Sequence, residues 1–227
     1  MYFCTNNCVF VDMKHPLDKF RYCPVCGSER FEVNNVKSKK CRACGFTYYM
    51  NPSAATVAVI TKKTLPPAPP CMEGSRMPLS SDNISAERVS TPLHAGRGRG
   101  EGLLLLCVRR AKEPARGTLD LPGGFSDMGE TSEEGVAREV LEETGLHVVR
   151  TEFLFSLPNR YVYSGLEIPT MDMFYRCEVA ETAESTAAVR AMDDAAEAMW
   201  IPISELDPEQ FGLESIRRGI RLLKEKF

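Results

Sequence analysis

No apolar run in this sequence approaches the 18 residues that a membrane-spanning helix requires; the longest, Leu103 to Val108, is the length of a strand. The opening stretch MYFCTNNCVFVDMKH has neither a basic start nor a continuous apolar centre, so no secretory signal is expected in it. Charge of one sign is not in excess either. Lys and Arg number 28 against 31 Asp and Glu, and a formal −3 gives no argument for bulk nucleic-acid or anionic-membrane binding. Tryptophan occurs once, at Trp200, and no internal repeat is visible beyond two paired cysteine turns. A secreted disulfide scaffold is disfavoured: the nine cysteines are an odd number, and four of them stand in Cys-x-x-Cys pairs. That pattern suits a reducing cytoplasm and a metal site. What is present is ordinary soluble-protein composition, 43% hydrophobic and 26% charged over 227 residues, enough for one full core and a small satellite.

The stretch that carries chemistry runs from Leu121 to Leu146, LPGGFSDMGETSEEGVAREVLEETGL. From Gly124 it reads Gly, five residues, Glu130, seven residues, Arg138-Glu139-Val140, one residue, Glu142-Glu143, one residue, Gly145-Leu146. Thr131-Ser132-Glu133-Glu134 is a capping box: the Thr131 hydroxyl takes the amide of Glu134, and that carboxylate reaches back. The spacing predicts a helix from near Ser132 to near Thr144, with Gly145 supplying the left-handed residue past its end. At about 100° per residue, Val136, Ala137, Val140 and Leu141 share one arc, the expected core face. Glu139, Glu142 and Glu143 converge on the opposite face, where like charges repel by about 0.2–0.5 kcal/mol per pair. A solvated acidic face is the plain alternative. The Gly-rich loop before the helix and Arg138 beside Glu139 point instead to a hard divalent cation such as Mg2+. Such an ion takes several carboxylate oxygens and keeps waters and substrate phosphates as its other ligands.

Upstream, Cys23-Pro-Val-Cys26-Gly27 is followed after fourteen residues by Cys41-Arg-Ala-Cys44-Gly45. Two such turns at this separation are a Cys4 zinc-ribbon signal, and four thiolates leave no open position, so the ion would be structural. Two redox-active pairs are the alternative. Arg30 to Lys40 is expected to form short strands, and Lys37, Lys39, Lys40 and Arg42 make that stretch basic. A solvated surface is favoured there over a nucleic-acid face, since no aromatic row interleaves. Cys4 and Cys8 read as free thiols in a flexible tail, and Met13 is a plausible second start.

Ala54 to Thr61 reads as an apolar, β-branched strand and Leu103 to Arg109 as a buried one. Between them residues 65–100 are rich in Pro and Ser and end in Gly-Arg-Gly-Arg-Gly, which predicts a disordered insertion in a hairpin. Val148 to Leu157 and Met171 to Val179 read as strands, with a loop from Ser156 to Gly165 overhanging the substrate. Thr182 to Asp194 is a polar, Ala-rich loop. Glu214 to Phe227 is expected to be a basic amphipathic helix packing through Ile216, Ile220 and Leu223.

The Gly124 to Leu146 pattern matches a Nudix box at all nine positions, seven of fixed identity and two apolar, and the chain resembles a Nudix hydrolase. The order of a Cys4 ribbon, the link Tyr48-Tyr49-Met50-Asn51-Pro52 and then the box resembles the NADH pyrophosphatase branch. The resemblance implies an α+β fold, a Nudix-type α/β/α sandwich with a small N-terminal zinc ribbon. Its expected parts are a tail at 1–14, a ribbon at 15–50 and a hydrolase domain at 51–227. It further implies hydrolysis of the pyrophosphate linkage in a nucleoside diphosphate derivative, in which Glu139, Glu142 and Glu143 hold Mg2+ or Mn2+ with the Gly124 carbonyl. Arg138 would orient Glu139, a candidate to hold or deprotonate water, and Glu130 would support the cluster. Glu197 is a further candidate ligand or base, and Zn2+ would sit on Cys23, Cys26, Cys41 and Cys44. Arg109, Arg110, Arg160 and Tyr161 are the candidate substrate contacts.

NADH pyrophosphatases carry Ser-Gln-Pro-Trp-Pro-Phe-Pro-x-Ser downstream of the box, whereas this chain has Ser156-Leu157-Pro158-Asn159-Arg160-Tyr161. NADH and ADP-ribose, or a related nucleotide sugar, are therefore comparable expectations. Two other readings stay open. One is a non-catalytic nucleotide-binding module, the other an RNA-cap hydrolase using Lys37 to Arg42. A homodimer is the one assembly anticipated, and no membrane partner is.

Overall fold

The computed structural model describes residues 15–63, 102–181 and 195–226. The N-terminal part is a three-stranded antiparallel sheet of β1 (Phe31–Asn35), β2 (Ser38–Cys41) and β3 (Thr47–Tyr49), in that order. Its core is small: Cys23, Phe31 and Cys41 are buried, with Phe20, Phe46 and Tyr48 packed against them. The basic stretch is partly spent on this core. Lys39 is buried, its Nζ donating to the Phe20 carbonyl at 2.8 Å and lying 5.8 Å from the Phe31 ring centroid, and Arg42 pairs with Glu32 at 2.8 Å.

The larger part holds β4 (Ser53–Val59), β5 (Thr61–Lys63), β6 (Leu103–Arg110), β7 (Leu119–Asp120), β8 (Gly123–Phe125), α1 (Ser132–Thr144), β9 (Val148–Tyr163), β10 (Leu166–Val179), β11 (Ala195–Pro202) and α2 (Glu214–Lys226). One sheet runs β8-β4-β10-β9, with β4 and β10 parallel; the other runs β11-β6-β5, with β7 paired to β6. The chain changes sheets at Ile60, between β4 and β5. Successive strand residues point to opposite faces, so burial sorts them by parity. Val57, Val59, Leu105, Cys107 and Phe174 join Ile216, Ile220 and Leu223 of α2 in one core. Ala58, Ile60, Leu106 and Tyr175 join Val136 and Val140 of α1 in the other. Helices on both sides of the strands make the α/β/α sandwich that the resemblance implied.

The sequence reading of α1 holds at both ends. Thr131 and Glu134 exchange capping hydrogen bonds, and Gly145 has φ 71°. Its core face is rotated from the expected one: Leu141 is 43% exposed, while Glu143 and Thr144 are buried behind Val136 and Val140. The expected overhanging loop is also corrected. Ser156 to Tyr163 continues β9, which pairs with β10 down to Tyr163↔Leu166. The reversal takes only Ser164 (φ 49°) and Gly165 (φ 74°), two left-handed residues that suit the twist of a two-residue hairpin. Pro158 does not break the strand because β9 is an edge strand, with no ladder to serve on its outer side. β5 and β6 pair antiparallel from Lys63↔Leu103, so the expected insertion lies in a β5–β6 connection. The predicted tail, the 65–100 insertion and the 182–194 loop fall outside the described residues. No helix among the described residues is long and apolar enough to cross a membrane.

Gly219 shows how closely α2 sits. A Cβ there would lie 2.5 Å from Cε1 of Phe174, a ring with no exposure and no room to retreat. Gly219→Ala would gain about 1 kcal/mol of helix propensity but cost up to about 3 kcal/mol in overpacking. A net loss of about 2 kcal/mol is expected. It should appear as a lower urea midpoint with unchanged turnover per folded molecule.

Candidate active site

The Gly-rich turn and α1 are held together through Arg138. Its Nε and Nη2 donate to the two Glu130 oxygens at 3.1 and 2.9 Å, and Nη1 donates to Glu139 at 2.9 Å and Glu142 at 3.1 Å. Nη2 also reaches the Phe125 carbonyl at 3.1 Å, fixing the turn to the helix. Glu130 accepts a further bond from the Asp127 amide at 2.6 Å. Arg138 and then that amide hold the Glu130 carboxyl below the usual carboxylate range. Glu139 is different: burial pushes its carboxyl up, with Arg138 pulling against it. Gly124 leaves room for it: a Cβ there would lie 2.6 Å from the Glu139 carboxyl carbon and displace that carboxylate. Glu143 sits deeper, accepting from the Gly123 amide at 3.1 Å, while the side chain of Glu142 is 48% exposed at the rim.

These groups open on a cleft of about 470 Å3 lined by Gly124, Glu139 and Glu143 at one end. Asp120, Asn159, Thr170 and Asp172 line it elsewhere, and all four are buried. Among the described residues six acidic side chains line the cleft against two basic ones, Arg110 and Lys112. Arg110 bridges Asp120 at 2.5 Å and donates to the Tyr161 hydroxyl at 3.2 Å. Burial drives the Asp120 carboxyl up, against the pull of Arg110. Tyr161 meets Phe125 edge to face, with centroids 5.3 Å apart. Thr56 Oγ1 in the cleft wall and Ser126 Oγ beside the turn are buried without a hydrogen-bond partner among the described residues.

Of the candidates read from sequence, the structure brings Glu130, Arg138, Glu139, Glu142, Glu143 and Gly124 together, and Arg110 and Tyr161 face them across the cleft. Arg109 and Glu197 do not join them. They pair with each other across β6 and β11 at 3.2 Å and do not line the cleft. Arg160 pairs with Glu167 at 3.2 Å near the β9–β10 turn, also off the cleft. Asp120, Asn159, Thr170, Asp172 and Thr56 were missed. Asp120 abuts the Leu-Pro-Gly-Gly turn, and the alternation Leu157, Asn159, Tyr161, Tyr163 was a strand signal that could have found the second.

The cysteines form a separate centre. Cys23 and Cys44 sulfurs are 3.7 Å apart and Cys26 and Cys41 sulfurs 3.6 Å, too far for disulfides. Tetrahedral coordination at 2.3 Å would place sulfurs about 3.8 Å apart, so the four can hold one such ion. Amides of Cys44 and Ala43 bring the Cys41 thiol down to about 6, favouring the thiolate. Among the described residues this is the one group of three or more such side chains whose ligand atoms all lie within 4.8 Å of one another. The glutamates of α1 do not close to that spacing; Arg138 takes two of them.

A model of the NUDIX domain matches residues 86–222, more than half of the chain. The chain belongs to the Nudix family. A MutT-like protein of Streptomyces ambofaciens is 32% identical over 135 residues, 58% of this chain and 79% of that protein. An ADP-ribose pyrophosphatase of Methanocaldococcus jannaschii is 52% identical over 42 residues, 18% of this chain and 25% of its own. The NAD-capped RNA hydrolase NudC of Vibrio parahaemolyticus is 28% identical over 146 residues, 63% of this chain and 40% of its own. This Nudix hydrolase thus spans less than half the length of the last two. A Nudix hydrolase structure from Nitrosomonas europaea superposes with a TM-score of 0.55, covering 91% of both chains at 18% identity, which is a likeness of fold.

Proposed function

We propose that this Nudix hydrolase cleaves the pyrophosphate linkage of a nucleoside diphosphate derivative of the ADP-ribose or NADH type, with Mg2+ or Mn2+. The observation that carries this is the cleft's charge. An anionic pyrophosphate would meet six acidic side chains and two basic ones, so it is admitted only together with cations. Glu139, Glu142 and Glu143 with the Gly124 carbonyl supply hard oxygen donors fitted to such ions. The bound ions would neutralise phosphate oxygens and lower the pKa of water. Arg138 orients Glu139, which would hold or deprotonate the attacking water. Water oxygen then bonds to phosphorus as the bridging P–O bond breaks, releasing AMP and ribose 5-phosphate from ADP-ribose. The activities for which the archaeal and NudC relatives are named support this class of substrate.

The same reading takes residues 15–50 as a structural zinc ribbon and 51–227 as the hydrolase domain. The test is product analysis on the purified protein with Mg2+ or Mn2+ and NADH, NAD, ADP-ribose, diadenosine polyphosphates, nucleoside triphosphates or capped RNA. AMP released mainly from ADP-ribose or NADH is expected. Release only from capped RNA would move the assignment to RNA ends, and no turnover of any substrate would refute hydrolysis.

A further inference from the structure

One wall of the cleft is built from the β9–β10 hairpin. Leu157, Asn159, Tyr161 and Tyr163 share one face of β9, and Thr170, Asp172 and Phe174 share the matching face of β10. The face grades from core to ligand. Leu157 and Phe174 pack in the α2 core, whereas Asn159, Tyr161, Tyr163, Thr170 and Asp172 line the cleft.

Two buried polar groups here are built differently. Asp172 is held rigidly: Thr170 Oγ1 donates to one of its oxygens at 2.6 Å and Ser215 Oγ of α2 to the other at 2.5 Å. Each carboxylate oxygen has two lone pairs, so acceptor capacity is left over. Asn159 is 8% exposed and lines the cleft; unlike Thr56 Oγ1 and Ser126 Oγ its amide is not sealed away without a partner, so it meets the solvent of the cleft. An amide that faces the cleft can exchange its water for the polar edge of a ligand. Asn159 stands directly opposite Thr170 and diagonal to Asp172, so the amide and the carboxylate can meet one planar edge. Tyr161 and Phe125 offer ring surface beside that edge.

We infer that Asn159, backed by Asp172, is the base-specifying residue of the cleft and selects a purine carrying an exocyclic amino group next to a ring-nitrogen acceptor. An asparagine amide pairs with that edge in two bonds, donating to the ring nitrogen and accepting from the amino group. The second amino hydrogen falls to the spare acceptor capacity of Asp172. A keto group in the same place would set its oxygen against the Asp172 carboxylate, and on the N7 side of the purine would leave the Asn159 amide facing two acceptors. The inference rests on the hydrolase reading for its biological meaning, not for its test.

The test is equilibrium binding of AMP and of IMP to the full-length protein, which requires no turnover. AMP is expected to bind at least about tenfold tighter than IMP. Asn159→Ala should remove that difference by weakening AMP alone, with an unchanged melting temperature because the amide faces the cleft. Asp172→Asn, which puts a donor where the acceptor stood, should narrow the ratio as well. With ADP-ribose as substrate, Asn159→Ala should raise KM while leaving kcat within a few-fold. Equal binding of AMP and IMP, binding of neither, or an Asn159→Ala variant that keeps the preference would overturn the inference. Loss of kcat with KM unchanged would also overturn it. AMP preference without hydrolysis of any substrate would leave the inference standing and remove the proposed reaction.

Discussion

Glu143→Gln is expected to lower kcat by about a thousandfold while leaving the fold intact. Metal-held carboxylates contribute several kcal/mol of transition-state stabilisation, and each 1.4 kcal/mol is tenfold in rate. The fold should survive because the change is nearly isosteric. The Gly123 amide donates to Glu143 Oε2 at 3.1 Å, and a glutamine carbonyl can accept that bond in its place. Removing a negative charge from beside Glu139 should even relieve repulsion, so a melting temperature equal to or above wild type is predicted. Glu142→Gln tests the same cluster at its exposed rim, where Arg138 is its partner at 3.1 Å. A large loss of activity is expected there too. Both variants are to be assayed with saturating Mn2+ and ADP-ribose, alongside a thermal melt. Near-wild-type turnover in both would sink the carboxylate assignment.

The helix carrying these residues was legible because its signals are local. A capping box and a left-handed glycine are read within one turn of chain, and both are in place. The arc of its core face was less so, since helical periodicity cannot say that Glu143 turns inward to meet a glycine amide from β8 while Leu141 is left at the surface. The β9–β10 hairpin was misjudged for a related reason. Pro158 and Asn159 resemble loop residues until the sheet order puts β9 at an edge, and edges are set by long-range pairing. The same blindness hid Asp120 and Asp172, which come together only when β7 and β10 are laid into their two sheets. Glu197 and Arg109 erred the other way. Each was plausible alone, but as cross-strand neighbours they satisfy one another. The box was thus readable as a motif, and the cleft it faces required the tertiary fold.

Cys41→Ser should unfold the ribbon while sparing the hydrolase half. Between residues 15 and 50 the buried apolar side chains are Leu17, Cys23, Phe31 and Cys41, and two of those four are proposed ligands. So little apolar surface cannot offset the ordering of some thirty-five residues at about 1 kcal/mol or more each. On the proposed reading a structural zinc would supply what is missing, with apparent binding energies of about 10–16 kcal/mol in small zinc-finger peptides. The hydrolase half has two cores of its own, formed on opposite sides of its strands. Two consequences can be measured. The wild type should carry about one zinc per chain and Cys41→Ser none, with protease cuts appearing between residues 15 and 50. The second consequence is kinetic. Lys19 Nζ donates to the Gly165 carbonyl, so the ribbon touches the turn of the hairpin that presents Asn159 and Tyr161. Loosening that turn should raise KM severalfold and leave kcat nearly unchanged, because Glu139, Glu142 and Glu143 hang from α1. Wild-type protease resistance in a zinc-free Cys41→Ser protein would show that the ribbon folds without its ion, and a fall in kcat at constant KM would show that it supports the box itself.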